Sequence, residues 1–143
     1  MNYWLICLPR EDMEHCIKIG TFGASRKASL ALAKKGDKVV CYITKECKII
    51  ATGELTSDYY MSDDAVFRSA GDFPDRFDFK ASLLGPKHEL EIKKIVDDLA
   101  FITNKLYWSV FFRLSNRKLT KQDYELICQR LKSESLKLLA LAD

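Results

Sequence analysis

Long apolar runs are missing from this sequence. Nothing in its 143 residues approaches the roughly 20 consecutive apolar residues that a membrane-crossing helix needs. The start likewise lacks a basic stretch leading into a small-residue cleavage site, so a cytoplasmic location without a membrane partner is expected. Glycine and proline are scarce, at 6 and 3 residues, and no segment is repetitive or of biased composition, which excludes a linker-like or disordered chain. Paired cysteines are also lacking. The 5 cysteines, Cys7, Cys16, Cys41, Cys47 and Cys128, are odd in number and irregularly spaced, so no disulfide framework is expected. No Cys-x-x-Cys pair occurs and the 2 histidines, His15 and His88, lie far apart, so no zinc set forms at the usual ligand spacings. Neither a metal nor a cofactor is expected. His15 and Cys16 make a poor nucleophile and base, because adjacent side chains diverge in helices and strands alike.

What is present is the composition of a folded domain, 48% hydrophobic and 30% charged, of a length that suits one core. A single domain over residues 1–143 is expected, with 132–143 as a C-terminal helical extension. The net charge of +3 is modest, but the charges are unevenly spread. Between Arg26 and Lys48, seven basic residues face two acidic ones, a local net of +5. Between Glu54 and Asp78 the balance reverses, with seven acidic residues against two basic, a local net of −5. The chain turns basic again from Arg113 to Lys137, so one basic face is conceivable, although such runs are commonly only solvated surface.

Residues 2–8 read as a strand and 9–17 as a polar turn opening a short helix. A loop follows over 20–27, then a second short helix over 28–35 that stops at Gly36. The almost unbroken apolar run 38–44 predicts a strand buried on both faces, with a hairpin at 45–47 onto a strand over 48–57. Gly53 within it marks a bulge or a close backbone approach. Alternation over 75–83 puts Phe77, Phe79, Ala81 and Leu83 on one strand face and Arg76, Asp78 and Lys80 on the other. Ile92, Ile95, Val96 and Leu99 have helical spacing, and 108–112 reads as a strand followed by a basic connection. Thr120 and Asp123 resemble a capping box for a helix carrying Tyr124, Ile127 and Leu131, which Ser133 to Ser135 interrupt. Pairing of early and late strands predicts an α+β domain on a mixed β-barrel of about five or six strands, with helices at the periphery.

These segments resemble the EVE domain, a member of the PUA-like superfamily and a relative of the YTH domain. The resemblance runs through Tyr3-Trp4, Phe22-Gly23-Ala24, the run from Gly36 to Tyr42, residues 49–57 and Asp75-Arg76-Phe77. It continues through FITNKLYWSVFF at 101–112 and Leu119 to Tyr124. It implies a PUA-like pseudobarrel that reads nucleic acid, RNA or DNA, with an extruded and methylated base held between aromatic rings above a basic rim. Carried over by position, Asp12 and Met13 stand where the family tends to have Asn and an aromatic residue, and Phe22 stands where Trp usually precedes Gly. Trp108 and Ser109 match unchanged. Asp12, unlike Asn, only accepts hydrogen bonds and so suits a ligand that presents donors.

The expected ligand site therefore comprises Asp12, Met13, Phe22, Gly23, Ala24, Tyr42, Arg76, Trp108 and Ser109, with Arg26 and Lys27 on phosphate. Each has a plainer reading. Trp4 and Tyr42, on strands, suit the core; Arg76 suits a surface ion pair; Arg26 and Lys27 suit solvent. The expected function is a non-enzymatic reader of a modified or flipped base. Its rivals are a general RNA-binding PUA-like domain, an enzyme acting on a nucleotide-like small molecule, and an assembly subunit that pairs through residues 136–141. No base, nucleophile and oxyanion arrangement emerges to favour the enzyme.

Overall fold

The apolar run that begins at Lys38 forms a central strand, β3 (Lys38–Ile43), buried on both faces as its composition requires. The computed structural model describes residues 1–24, 30–65 and 73–142. β1 (Tyr3–Leu8) lies parallel to β3, in register from Tyr3 opposite Lys38 to Leu8 opposite Ile43. Side chains alternate across both strands and so divide into two cores. Trp4, Ile6, Val39, Cys41 and Ile43 enter one core, whereas Leu5, Cys7, Val40 and Tyr42 enter the other. Each such buried side chain contributes about 1.5 to 3 kcal/mol, so a double-sided central pair anchors the fold.

The remaining strands extend the sheet as β2 (Thr21–Ala24), β4 (Lys48–Leu55), β5 (Tyr60–Met61), β6 (Asp75–Leu83), β7 (Leu90–Glu91) and β8 (Asn116–Leu119). Their order is β2-β6-β4-β3-β1-β8, with β5 beside β6 and β7 beside β4. Only β1 and β3 run parallel among these pairs, so the sheet is mixed. The first half of β6 pairs with β2 and β5, and its second half crosses to β4. Gly53 makes that crossing possible: a Cβ there would meet the Lys80 carbonyl oxygen at 2.2 Å and Ala81 Cα at 2.7 Å. This is the close approach that the sequence suggested, while the β3–β4 irregularity lies between Cys41 and Tyr42.

Early and late strands do pair, through β1 and β8, but β2 and β8 end the sheet without meeting. The result is an α+β curled half-barrel of eight described strands, more than the expected five or six. α1 (Arg10–Ile19) packs Met13 and Cys16 into the first core and stops at Gly20, whose φ of 77° lets its N–H bond to the Cys16 carbonyl. α2 (Lys121–Ala142) covers the second core with Ile127 and Leu131. Among the described residues no helix is long and apolar enough to cross a membrane.

Several expectations need correction. Residues 21–24 are a strand rather than a loop, because Phe22 and Ala24 turn inward while Thr21 and Gly23 pair outward, an alternation too short to read in sequence. Residues 92–98 form two 3-10 turns instead of one helix, since Ile95, at φ −126° and ψ 0°, breaks the run while its side chain stays buried. Trp108–Phe112 is a 3-10 turn, not a strand, and the basic connection after it contains β8. A short apolar run such as WSVFF supports either geometry. The helix expected over 28–35 is a 3-10 turn at Leu30–Leu32, with residues 28 and 29 outside the described set. α2 runs unbroken through Ser133 to Ser135. Leu83 is exposed rather than facing the core, and Arg76 is buried rather than on a polar face. Thr120 Oγ accepts the Asp123 N–H at 3.1 Å, but the Asp123 carboxylate accepts from Ala100 and Phe101 N–H, pinning the preceding segment to α2.

Candidate nucleic-acid interface

The two groups of residues expected to share one pocket stand on opposite faces of the sheet. On the α1 face, Phe22 and Met13 are fully buried, and Phe22 lies tilted against Phe77 with ring centroids 5.3 Å apart. Gly23 pairs with Arg76, and Ala24 with Asp75, at the lip where β2 meets β6. Asp12 is half-buried on the first turn of α1. Burial, then the charge of Asp12, pushes the Cys16 thiol up to about 12, which leaves it protonated and inert near neutrality. Arg76 is buried, and donates from Nε to the Phe73 carbonyl at 2.9 Å and from its terminal nitrogen to the Asp64 carbonyl, tying those two residues to β6. Beside it, Tyr59 donates to Asp75 and Tyr60 to Asp78. Arg26 and Lys27 lie outside the described residues.

On the other face an open pocket of about 320 Å³ is lined by Tyr42, Thr44, Lys45, Cys47, Ser109, Phe112 and Arg113. Tyr42 and Phe112 stack with centroids 4.3 Å apart, and Trp108, half-buried, stands edge-on to Phe112 at 6.1 Å. Burial, with the Cys47 sulfur nearby, raises the Tyr42 pKa, so its phenol stays protonated. Ser109 is exposed at the mouth. Lys45 and Arg113 bring two cations to it, neither with an ion-pair partner among the described residues. The turn that carries Lys45 holds two non-glycine residues in the left-handed region, Lys45 at φ 70° and Cys47 at φ 58°, each at a cost of about 1 to 2 kcal/mol. Such conformations persist where the surroundings enforce them, often beside a binding site.

The structure thus brings Tyr42, Ser109 and, at the edge, Trp108 together, and separates them from Asp12, Met13, Phe22, Gly23, Ala24 and Arg76. Thr44, Lys45, Cys47, Phe112 and Arg113 complete the open pocket and were not expected in it. Phe112 closes the same aromatic run as Trp108, which was the available signal; nothing in the sequence ties the β3–β4 turn to residue 113. Among the described residues, no three His, Cys, Asp or Glu side chains gather as a metal ion would require.

Residues 2–130 match the sequence profile of the EVE domain. The chain belongs to the EVE domain family. A UPF0310 protein of Pyrococcus horikoshii is 32% identical over 143 residues, covering 89% of this chain and 97% of the relative. A UPF0310 protein of Pyrococcus abyssi is 26% identical over 141 residues, with the same coverage. Among solved structures, the YTH domain of the Zygosaccharomyces rouxii MRB1 protein in complex with N6-methyladenosine RNA superposes with a TM-score of 0.69. It covers 92% of this EVE domain and 86% of its own chain, at 9% identity. The protein Rpa0253 of Rhodopseudomonas palustris gives 0.64 at 18% identity, covering 90% and 92%. At these identities the structures establish a shared fold, the curled half-barrel also seen in that YTH domain.

Proposed function

We propose that this EVE domain is a non-enzymatic RNA-binding module that seats one extruded, modified base in the pocket of Tyr42, Ser109 and Phe112. The observation that carries this reading is the pocket's combination of the buried Tyr42–Phe112 stack beneath it, a free hydroxyl and two cations. A nucleotide has a flat apolar body, a hydrogen-bonding edge and an anion, and each finds a counterpart there. The volume lies at the lower end for small-ligand pockets and suits a single base. Family membership and the likeness to a YTH domain solved with N6-methyladenosine RNA support RNA as the polymer and a methylated base as the target.

A second seat, at Asp12, Met13, Phe22 and Gly23, is favoured by the position of these residues in the resemblance to the family and by the adjacency of α1 and β2, which carry them. It requires Phe22 to leave the core. Titration of the protein with matched methylated and unmethylated RNA oligonucleotides tests the proposal. Tighter binding of the methylated set is expected, and Ser109→Ala should weaken it roughly 2- to 13-fold, the loss of one hydrogen bond. Equal affinities would remove the modified-base preference, and absence of RNA binding at physiological salt would remove the function altogether.

A further inference from the structure

The turn that carries Ser109 presents a second feature, on the outside of the pocket. Val110 N–H donates to the Tyr107 carbonyl at 3.2 Å and Arg113 N–H to the Val110 carbonyl at 3.3 Å. With three residues per turn, side chains at i and i+3 eclipse. Ser109 and Phe112 therefore line the pocket together, Trp108 and Phe111 are half-buried together, and Tyr107 and Val110 form a third, exposed stripe that ends at the pocket mouth in Arg113. Tyr107 is 62% and Val110 47% exposed. The Tyr107 ring stacks on no other ring among the described residues, and Arg113 sits at the pocket mouth without an ion-pair partner there. An exposed aromatic ring aligned with a free cation about 12 Å along the turn is the arrangement that grips an unpaired strand, by base stacking and phosphate contact.

We infer that Tyr107 stacks on the base adjoining the one in the pocket, that Arg113 holds the phosphate between them, and that the ligand is consequently single-stranded RNA. In a duplex both faces of that neighbouring base are covered by its own stack, so Tyr107 finds no partner. The inference rests on the RNA-binding reading above and adds the strandedness of the ligand and the residues that sense it.

The test uses the whole chain with three probes: a single-stranded RNA oligonucleotide, the same sequence in a duplex, and its mononucleotide. The single strand should bind at least about tenfold more tightly than the duplex. Tyr107→Ala should weaken single-strand binding roughly 5- to 150-fold, leave mononucleotide binding unchanged, and be rescued by Tyr107→Phe. Arg113→Gln should reduce the slope of log affinity against log salt by about 0.7, the signature of one single-strand phosphate contact. Equal binding of single strand and duplex, or a Tyr107→Ala protein that holds the single strand as tightly as the parent, overturns the inference and leaves RNA binding standing. A loss of self-association in that variant with RNA affinity unchanged also overturns it, assigning the stripe to a second copy of the chain. Failure of the parent to bind any probe instead removes the RNA-binding reading itself.

Discussion

Replacing Phe22 by alanine is expected to cost about 3 to 5 kcal/mol of folding stability, far more than the loss of an exposed stacking wall. The ring is fully buried among Met13, Cys16 and Phe77. An aromatic side chain buries roughly 150 to 250 Å², worth about 4 to 6 kcal/mol at about 25 cal per Å², of which the alanine methyl keeps a minor share. The neighbours come from both α1 and β6, so neither element can close the gap without pulling on the other. For a chain of this size the loss corresponds to a fall in Tm of roughly 12 to 20 °C. Urea denaturation of parent and variant, paired with RNA titration below the variant's Tm, measures it. Phe22→Trp should cost about 1 to 3 kcal/mol through overpacking. A Phe22→Ala variant that loses less than about 1 kcal/mol yet no longer binds RNA would refute this account, and would move the base to the α1 face.

Asp37 is buried and accepts hydrogen bonds from Asn2 N–H, Trp4 Nε1–H and Lys34 N–H at 2.9 to 3.0 Å. Burial alone would raise its pKa, but these donors bring it below the usual carboxylate value, so its stabilisation is present above about pH 3.9 and lost as pH falls through the folded-state value. Asp37→Asn should therefore cost about 1 to 3 kcal/mol near neutrality and flatten the acid limb of stability against pH, both read from urea melts across pH. Gly53→Ala should cost about 2 kcal/mol or more, because its Cβ meets backbone of β6 rather than a movable side chain; thermal melting checks this, and an unchanged Tm would contradict the β4–β6 geometry.

Much of the fold was legible because local patterns carried it. The strands at β1, β3, β4 and β6 follow from apolar runs and period-two alternation, and α1 from its polar opening. Where a segment offered only four or five residues, as at β2, β8 and Trp108–Phe112, pattern did not discriminate, and the outcome depended on which neighbours were available. Arg76 illustrates the same limit: its alternation pointed outward, but backbone carbonyls at Phe73 and Asp64 satisfy its guanidinium in the interior.

The sequence by itself carried the resemblance to the EVE domain, and its apolar runs and period-two alternation determined the α+β class and the double-sided central strand, since these depend on the order of short-range signals. The partition of the aromatic residues was decided by tertiary structure alone. Phe22 and Trp108 each follow a plausible local pattern, but only the sheet passing between them sends Phe22 into one core and packs Trp108, half-buried, against the other, with Ser109 at an open mouth. Such a mouth is assembled from side chains about 70 residues apart, Tyr42 on β3 and Phe112 on the turn, and no spacing along a chain encodes that they will stack.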